Sequence, residues 1–191
     1  LVMDAFTAKV GVEKYIVYLM DYGAPIGLRM ALNNPDKIAG LIVQNGNAYD
    51  EGLRDFWDPI KKYWGDPSPE NFKSLFLSDP GAAKWQYTNG VPDPTLLDPT
   101  TWVLDQVGLD RPGNAAIQLD MLYDYRTNLP LYPAFQAFLR KYQPPTLIVW
   151  GKNDTVFPTE GALPYKRDLP NAEIHLLDTG HFALETHGQE M

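Results

Sequence analysis

Strands announce themselves in this chain as short, unbroken apolar runs. Tyr15-Ile16-Val17-Tyr18-Leu19-Met20 is rich in β-branched and aromatic residues, the pattern of a strand buried on both faces of a parallel sheet. Gly23 and Ala24 then supply the small side chains of a tight turn. Ile26, Leu28, Met30, Ala31 and Leu32 give an apolar helical face that ends near Asn33-Asn34-Pro35. Pro25 suits the first helical turn, where its missing N–H costs nothing. Further buried strands are predicted over 38–43, closing on Gln44-Asn45-Gly46-Asn47, and over 146–150, and a fourth strand over 173–177, with a helix over 159–168 between the last two. Residues 1–13 read as an amphipathic helix leading into the first strand. Helix and strand alternate, which predicts an α/β fold with a parallel sheet flanked by helices.

The pattern changes over 49–142, where prolines, tryptophans and tyrosines concentrate and strand-like runs vanish. Segments 53–64, 69–77, 82–87, 100–106 and 115–125 read as short helices joined by loops containing proline and glycine. The expectation is a helical cap over 49–142 inserted into a discontinuous, partial core of 1–48 and 143–191. The chain opens on Leu1 inside what reads as a domain, and 185–191 stops where a further helix is expected, so both ends read as truncated. The first strand would then form an exposed apolar sheet edge, which predicts self-association.

Composition narrows the function classes without choosing among them. At 191 residues, 45% of them hydrophobic, the chain can bury one sizeable core or a core with an inserted subdomain. A formal net charge of −8, with no basic run to offset it, argues against non-specific binding to nucleic acid or an anionic membrane. With no cysteine there is neither a disulfide nor a thiolate metal site. No apolar run approaches the ~18 residues of a membrane span, and a cytoplasmic location is the default expectation. Three dispersed histidines give no metal-site spacing, and no glycine-rich phosphate loop is present, so no cofactor beyond water is expected. His175, within a strand pattern, and His187, near the end, read as surface groups.

The chemistry concentrates at three strand ends. Asp21, in Leu19-Met20-Asp21-Tyr22-Gly23, stands where a strand turns sharply into a helix, which lifts its side chain above the sheet near the first helical N–H groups. The alternative is that Asp21 only caps that helix. Asp154 follows the third strand in Trp150-Gly151-Lys152-Asn153-Asp154, and His181 follows the fourth in Asp178-Thr179-Gly180-His181-Phe182. Open α/β sheets bind ligands at the carboxyl ends of their strands. The chain order of nucleophile, acid and histidine, with the nucleophile on an elbow, is the α/β-hydrolase order.

The chain resembles the α/β-hydrolase superfamily, in particular the aspartate-nucleophile branch of epoxide hydrolases and haloalkane dehalogenases. Residues 20–27 resemble the elbow, 145–154 the acid strand and Gly180-His181-Phe182 the histidine loop. One departure is clear: this branch commonly has tryptophan directly after the nucleophile, and this chain has Tyr22. The resemblance implies a triad of Asp21, His181 and Asp154, and an oxyanion hole that includes the Tyr22 backbone N–H.

A carboxylate, with an ordinary pKa of about 3.9, is ionised at neutral pH and needs no base to become a nucleophile. Attack on an ester carbonyl would give an anhydride, whereas attack on a saturated carbon gives an ordinary ester. The expected reaction is therefore alkylation of Asp21, followed by hydrolysis of the ester by water that His181, supported by Asp154, deprotonates. The substrate is then an epoxide or an alkyl halide. An epoxide oxygen becomes an alkoxide and benefits from a phenol that donates a hydrogen bond or a proton. Tyr125, in Tyr123-Asp124-Tyr125-Arg126-Thr127-Asn128, is similar to the tyrosine segment of epoxide hydrolase caps, and Tyr63 is a second candidate. Epoxide hydrolysis is the preferred expectation. Haloalkane dehalogenation by the same triad, and a non-catalytic fragment or binding protein of the same fold, are the alternatives.

Overall fold

The computed structural model describes residues 2–73, 75 and 81–191. After helix α1 (Val2–Lys9) come strand β1 (Tyr15–Met20), helix α2 (Gly23–Asn33) and strand β2 (Ile38–Gln44). The chain continues through α3 (Asp58–Gly65), α4 (Pro69–Lys73), α5 (Ala82–Thr88), α6 (Pro99–Leu109) and α7 (Asn114–Asp124). Then come a 3-10 stretch (Tyr125–Leu131), α8 (Tyr132–Tyr142), β3 (Thr146–Gly151), α9 (Tyr165–Asp168), β4 (Glu173–Leu177) and α10 (Ala183–His187). Of the helix expected over 69–77, residues 74, 76 and 77 lie outside the described ones.

The four strands are parallel and lie in chain order, with Met20 beside Gln44, Gln44 beside Val149 and Gly151 beside Leu177. Their carboxyl ends therefore share one rim. The elbow, acid and histidine loops all leave from that rim.

The expectation that β1 is buried on both faces is corrected. Val17 and Leu19 face α2, and a Cβ on Gly27 of that helix would collide with both side chains, so glycine lets the helix sit this close. On the opposite face Ile16 is 62% and Tyr18 44% exposed. β1 pairs with β2 on one side and stands at the sheet edge. An apolar run signals strand but cannot count the layers that cover it.

The helix expected over 159–168 is also broken, into a turn at Thr159–Gly161 and the short α9. Gly161 and Pro164 interrupt it, since proline inside a helix removes a donor and clashes with the preceding turn. At the end of the chain α10 already begins at Ala183, earlier than the sequence pattern suggested.

One apolar cluster runs without a break from the sheet (Leu19, Val43, Ile148, Trp150) into the segment between β2 and β3 (Trp57, Ile60, Tyr63, Leu122, Tyr125). α8 packs against α2 and α9, with Arg140 paired to the buried Asp168 at 2.7 Å. Among the described residues no helix is long and apolar enough to cross a membrane.

Candidate active site

At the end of β1 the backbone reverses through Asp21, whose φ is +45°, a left-handed conformation that aspartate tolerates better than most residues. The Asp21 carbonyl accepts from the Ala24 N–H at 3.0 Å, which closes the turn. Gly46 makes room for it: a Cβ there would meet the Leu19 carbonyl oxygen at 2.8 Å and the Ala24 Cβ at 3.0 Å. The helix-cap alternative does not hold, because Tyr22 occupies the N-cap position of α2 and no side chain caps that helix.

The Asp21 carboxylate instead points across the rim. Its Oδ2 lies 2.9 Å from His181 Nε2, and His181 Nδ1 lies 2.7 Å from Asp154 Oδ2. His181 and Asp154 are buried at 3% exposure each, while the Asp21 side chain keeps 28%. The two innermost members are thus sheltered and the outermost meets the cavity. The tight turn beyond β3 depends on glycine, since a Cβ on Gly151 would overlap the Gly180 carbonyl oxygen of the histidine loop.

Burial works to lower the His181 pKa, but the Asp154 and Asp21 carboxylates on either side overcome it and hold the imidazole up at about 10. Asp154 and Asp21 therefore favour the protonated imidazole in the resting site, and loss of either charge makes it a better base.

A contributor absent from the sequence reading is Asn45, fully buried at the end of β2 with φ +44°. Its Nδ2 donates to Asp154 Oδ2 at 2.7 Å, and its Oδ1 accepts the Gly151 N–H at 3.0 Å. The Val156 N–H donates to the other Asp154 oxygen at 2.7 Å. The acid is held from both sides. A polar Asn45-Gly46-Asn47 run straight after an apolar strand was the available signal.

Two cavities are lined by Asp21 and Tyr22. One encloses about 630 Å³ of empty space, part of it open to solvent, between the rim and Phe56, Trp57, Gln86, Gln118, Leu122 and Val156. The other continues outward past Tyr87, Leu104 and Arg111. Trp57, which lines the first cavity, donates its indole N–H to the Val156 carbonyl at 2.7 Å, and Trp64 donates to the Leu122 carbonyl at 2.9 Å. The Tyr22 N–H takes no partner among the described residues.

Neither cap tyrosine singled out from the sequence lines these two cavities. Tyr63 belongs to the inward stripe of α3 and packs edge-on against Tyr123. Tyr125 is nearer, its ring edge-to-face with Tyr22 at 5.7 Å, but its hydroxyl sits 3.4 Å from that of Tyr132. Tyr132 in turn accepts from Asn47 at 3.2 Å. His175 is exposed beside Glu173 at 2.7 Å, and His187 bonds Thr186 at 2.8 Å, both away from the triad.

Residues 2–188 match the family described as alpha/beta hydrolase fold. An uncharacterized hydrolase of Saccharomyces cerevisiae is 48% identical over 181 residues, 92% of this chain and 62% of that protein. A 2-hydroxy-6-oxononadienedioate/2-hydroxy-6-oxononatrienedioate hydrolase of Pseudomonas putida is 24% identical over 94% of this chain and 60% of its own. The chain thus spans about 60% of the length of these curated relatives. Among solved structures, a mutant haloalkane dehalogenase from Agrobacterium tumefaciens superposes with a TM-score of 0.69 at 17% identity, over 96% of this chain and 66% of that one. This last likeness is one of fold alone.

Proposed function

The chain belongs to the alpha/beta hydrolase fold family, and from that premise we propose that the protein containing it hydrolyses epoxides through an ester formed on Asp21. The observation that carries this reading is an aspartate, not a hydroxyl, at the left-handed elbow, 2.9 Å from a histidine backed by Asp154. Asp21 attacks a ring carbon from the side opposite the departing oxygen, and the carboxylate becomes an ester. His181 then sits beside one negative charge where it had two, so its proton is released more readily and it becomes a base for water. Hydroxide adds to the ester carbonyl, the Tyr22 N–H is available to the resulting oxyanion, and collapse frees the diol and restores Asp21.

Hydrolysis of a 2-hydroxy-6-oxononadienedioate or 2-hydroxy-6-oxononatrienedioate, as in the name of the Pseudomonas putida relative, fits less well. An aspartate attacking a carbonyl forms an anhydride, and the inner cavity offers no cationic side chain to a dicarboxylate. Haloalkane dehalogenation uses the same triad, but the indoles of Trp57 and Trp64 are already engaged and so are withheld from a departing halide.

The test is to trap the ester. With His181→Gln in the natural full-length protein, incubation with a small epoxide is expected to leave an adduct on Asp21 in the intact mass, localised by peptide mapping. A folded variant that gains no adduct sinks the proposal. An adduct formed only by an alkyl halide transfers it to dehalogenation.

A further inference from the structure

Opening an epoxide creates an alkoxide, and a proton has to meet it. Among the described residues the two cavities that reach Asp21 are lined by two tyrosines, Tyr22 and Tyr87. The Tyr87 hydroxyl is committed to Asp105 Oδ2 at 2.8 Å. The Tyr22 hydroxyl has no hydrogen-bond partner among the described residues, and its ring is fixed by the edge-to-face contact with Tyr125. Gln86 and Gln118 also line both cavities. Their carboxamides can donate a hydrogen bond, but they cannot give up a proton at neutral pH.

We propose that the Tyr22 side chain, and not Tyr125 or Tyr63, protonates the epoxide oxygen as it leaves carbon. The inference rests on the epoxide reading above. It gives Tyr22 two separate roles, with its N–H serving the ester oxyanion and its phenol serving the leaving oxygen.

Charge in the site supports the assignment. Burial first, and the Asp21 carboxylate second, raise the Tyr22 phenol above its ordinary range, so it waits protonated. When Asp21 becomes a neutral ester, the charge that helped hold that proton is gone, and the phenol grows more acidic as the alkoxide forms. An alkoxide is a stronger base than a phenolate, so the transfer runs downhill.

The proton count closes on residues already described. The resting site holds Asp21 as carboxylate, His181 as imidazolium and Tyr22 as phenol. Attack forms the Asp21 oxygen–carbon bond, breaks the ring carbon–oxygen bond and moves the phenol proton to that oxygen. The phenolate recovers a proton from the His181 imidazolium through cavity water, which leaves His181 neutral and competent as a base. Hydrolysis of the ester then yields diol, the Asp21 carboxylate and one proton, which His181 keeps. The starting state is regenerated, and the net reaction is epoxide plus water to diol.

The test compares alkylation rates in the natural full-length protein carrying His181→Gln, with and without Tyr22→Phe, which keeps the ring and the backbone N–H. Intact mass follows the adduct from styrene oxide and, separately, from 1-bromobutane. Loss of a general acid predicts epoxide alkylation slower by roughly 10²–10⁴-fold, with bromide displacement changed by less than about tenfold. Tyr125→Phe, as a second variant, is expected to keep the epoxide rate. Equal epoxide rates with tyrosine or phenylalanine at 22 overturn the assignment alone, as does a loss on Tyr125→Phe with none on Tyr22→Phe. An equal loss with both substrates also overturns it, because it makes Tyr22 a support for Asp21. Absence of any epoxide adduct with Tyr22 intact overturns the epoxide reading itself.

Discussion

Asn45→Ala is expected to destabilise the protein by about 3–5 kcal/mol, nearly all of it at the acid loop. Three losses combine. The bond from Asn45 Nδ2 to the Asp154 carboxylate, at 2.7 Å and fully buried, is charge-assisted and worth about 1.5–3 kcal/mol. The Gly151 N–H, which donates to Asn45 Oδ1 at 3.0 Å, would be left buried without a partner, at about 1–3 kcal/mol. An alanine at φ +44° adds about 1–2 kcal/mol that asparagine largely avoids. The losses share one loop and overlap, so their plain sum is an upper bound. Asn45→Gly separates backbone from side chain: glycine makes neither bond but accepts the left-handed conformation, and should recover about 1 kcal/mol relative to alanine. Urea unfolding of the three proteins at neutral pH measures both differences. The reasoning is refuted if alanine costs under about 1 kcal/mol, or if glycine proves worse than alanine.

Other consequences of the same geometry are open to measurement. Asp154→Asn should still be alkylated but should hydrolyse the ester about 10⁴-fold more slowly, the scale of a mis-oriented triad histidine, so the ester accumulates in the mass spectrum; unchanged turnover would count against the triad. His181, held at about 10 against about 6.5 in the unfolded chain, contributes stability that is complete below about 6.5 and lost as pH rises through 10, at up to about 1.4 kcal/mol per pH unit. Denaturation midpoints between pH 6 and 10 should therefore fall, and His181→Gln should flatten the slope. The open edge of β1, with Ile16 and Tyr18 exposed beside it, should drive concentration-dependent association of this 191-residue chain, visible by light scattering. Ile16→Lys should reduce that association, and an unaltered profile would place the contact elsewhere.

Much of the frame was legible because strands and turns are local signals. β1 was bounded correctly from its apolar run, since β-branched and aromatic residues ending at glycine or polar clusters have few other readings, and β4 was bounded correctly over Glu173–Leu177. Asp21, Asp154 and His181 could be ordered along the chain because each follows such a run. Burial was harder to read. Tyr15–Met20 carries no mark of which face a second layer covers, and so Ile16 and Tyr18 looked as interior as Leu19. The tyrosines are a different case. Sequence similarity pointed to Tyr125, but what a phenol can do depends on where its hydroxyl goes, and the 3.4 Å approach to the Tyr132 hydroxyl is set by packing.

Asp21 and Asn45 together explain how this rim can hold a strained aspartate. Adjacent parallel strands end in register, Met20 beside Gln44, and the next residue on each enters the left-handed region, at φ +45° and +44°. Neither is glycine, so each conformation carries a cost that its side chain must offset. Asn45 does so through the Gly151 N–H and Asp154, and Asp21 through His181. Gly46, following Asn45, removes the Cβ that would push against the Leu19 carbonyl and keep the two turns apart. The two strained residues are therefore joined through Asp154 and His181 into one hydrogen-bonded circuit. Disturbing the buried asparagine should accordingly be felt at Asp21, although the two residues belong to separate turns.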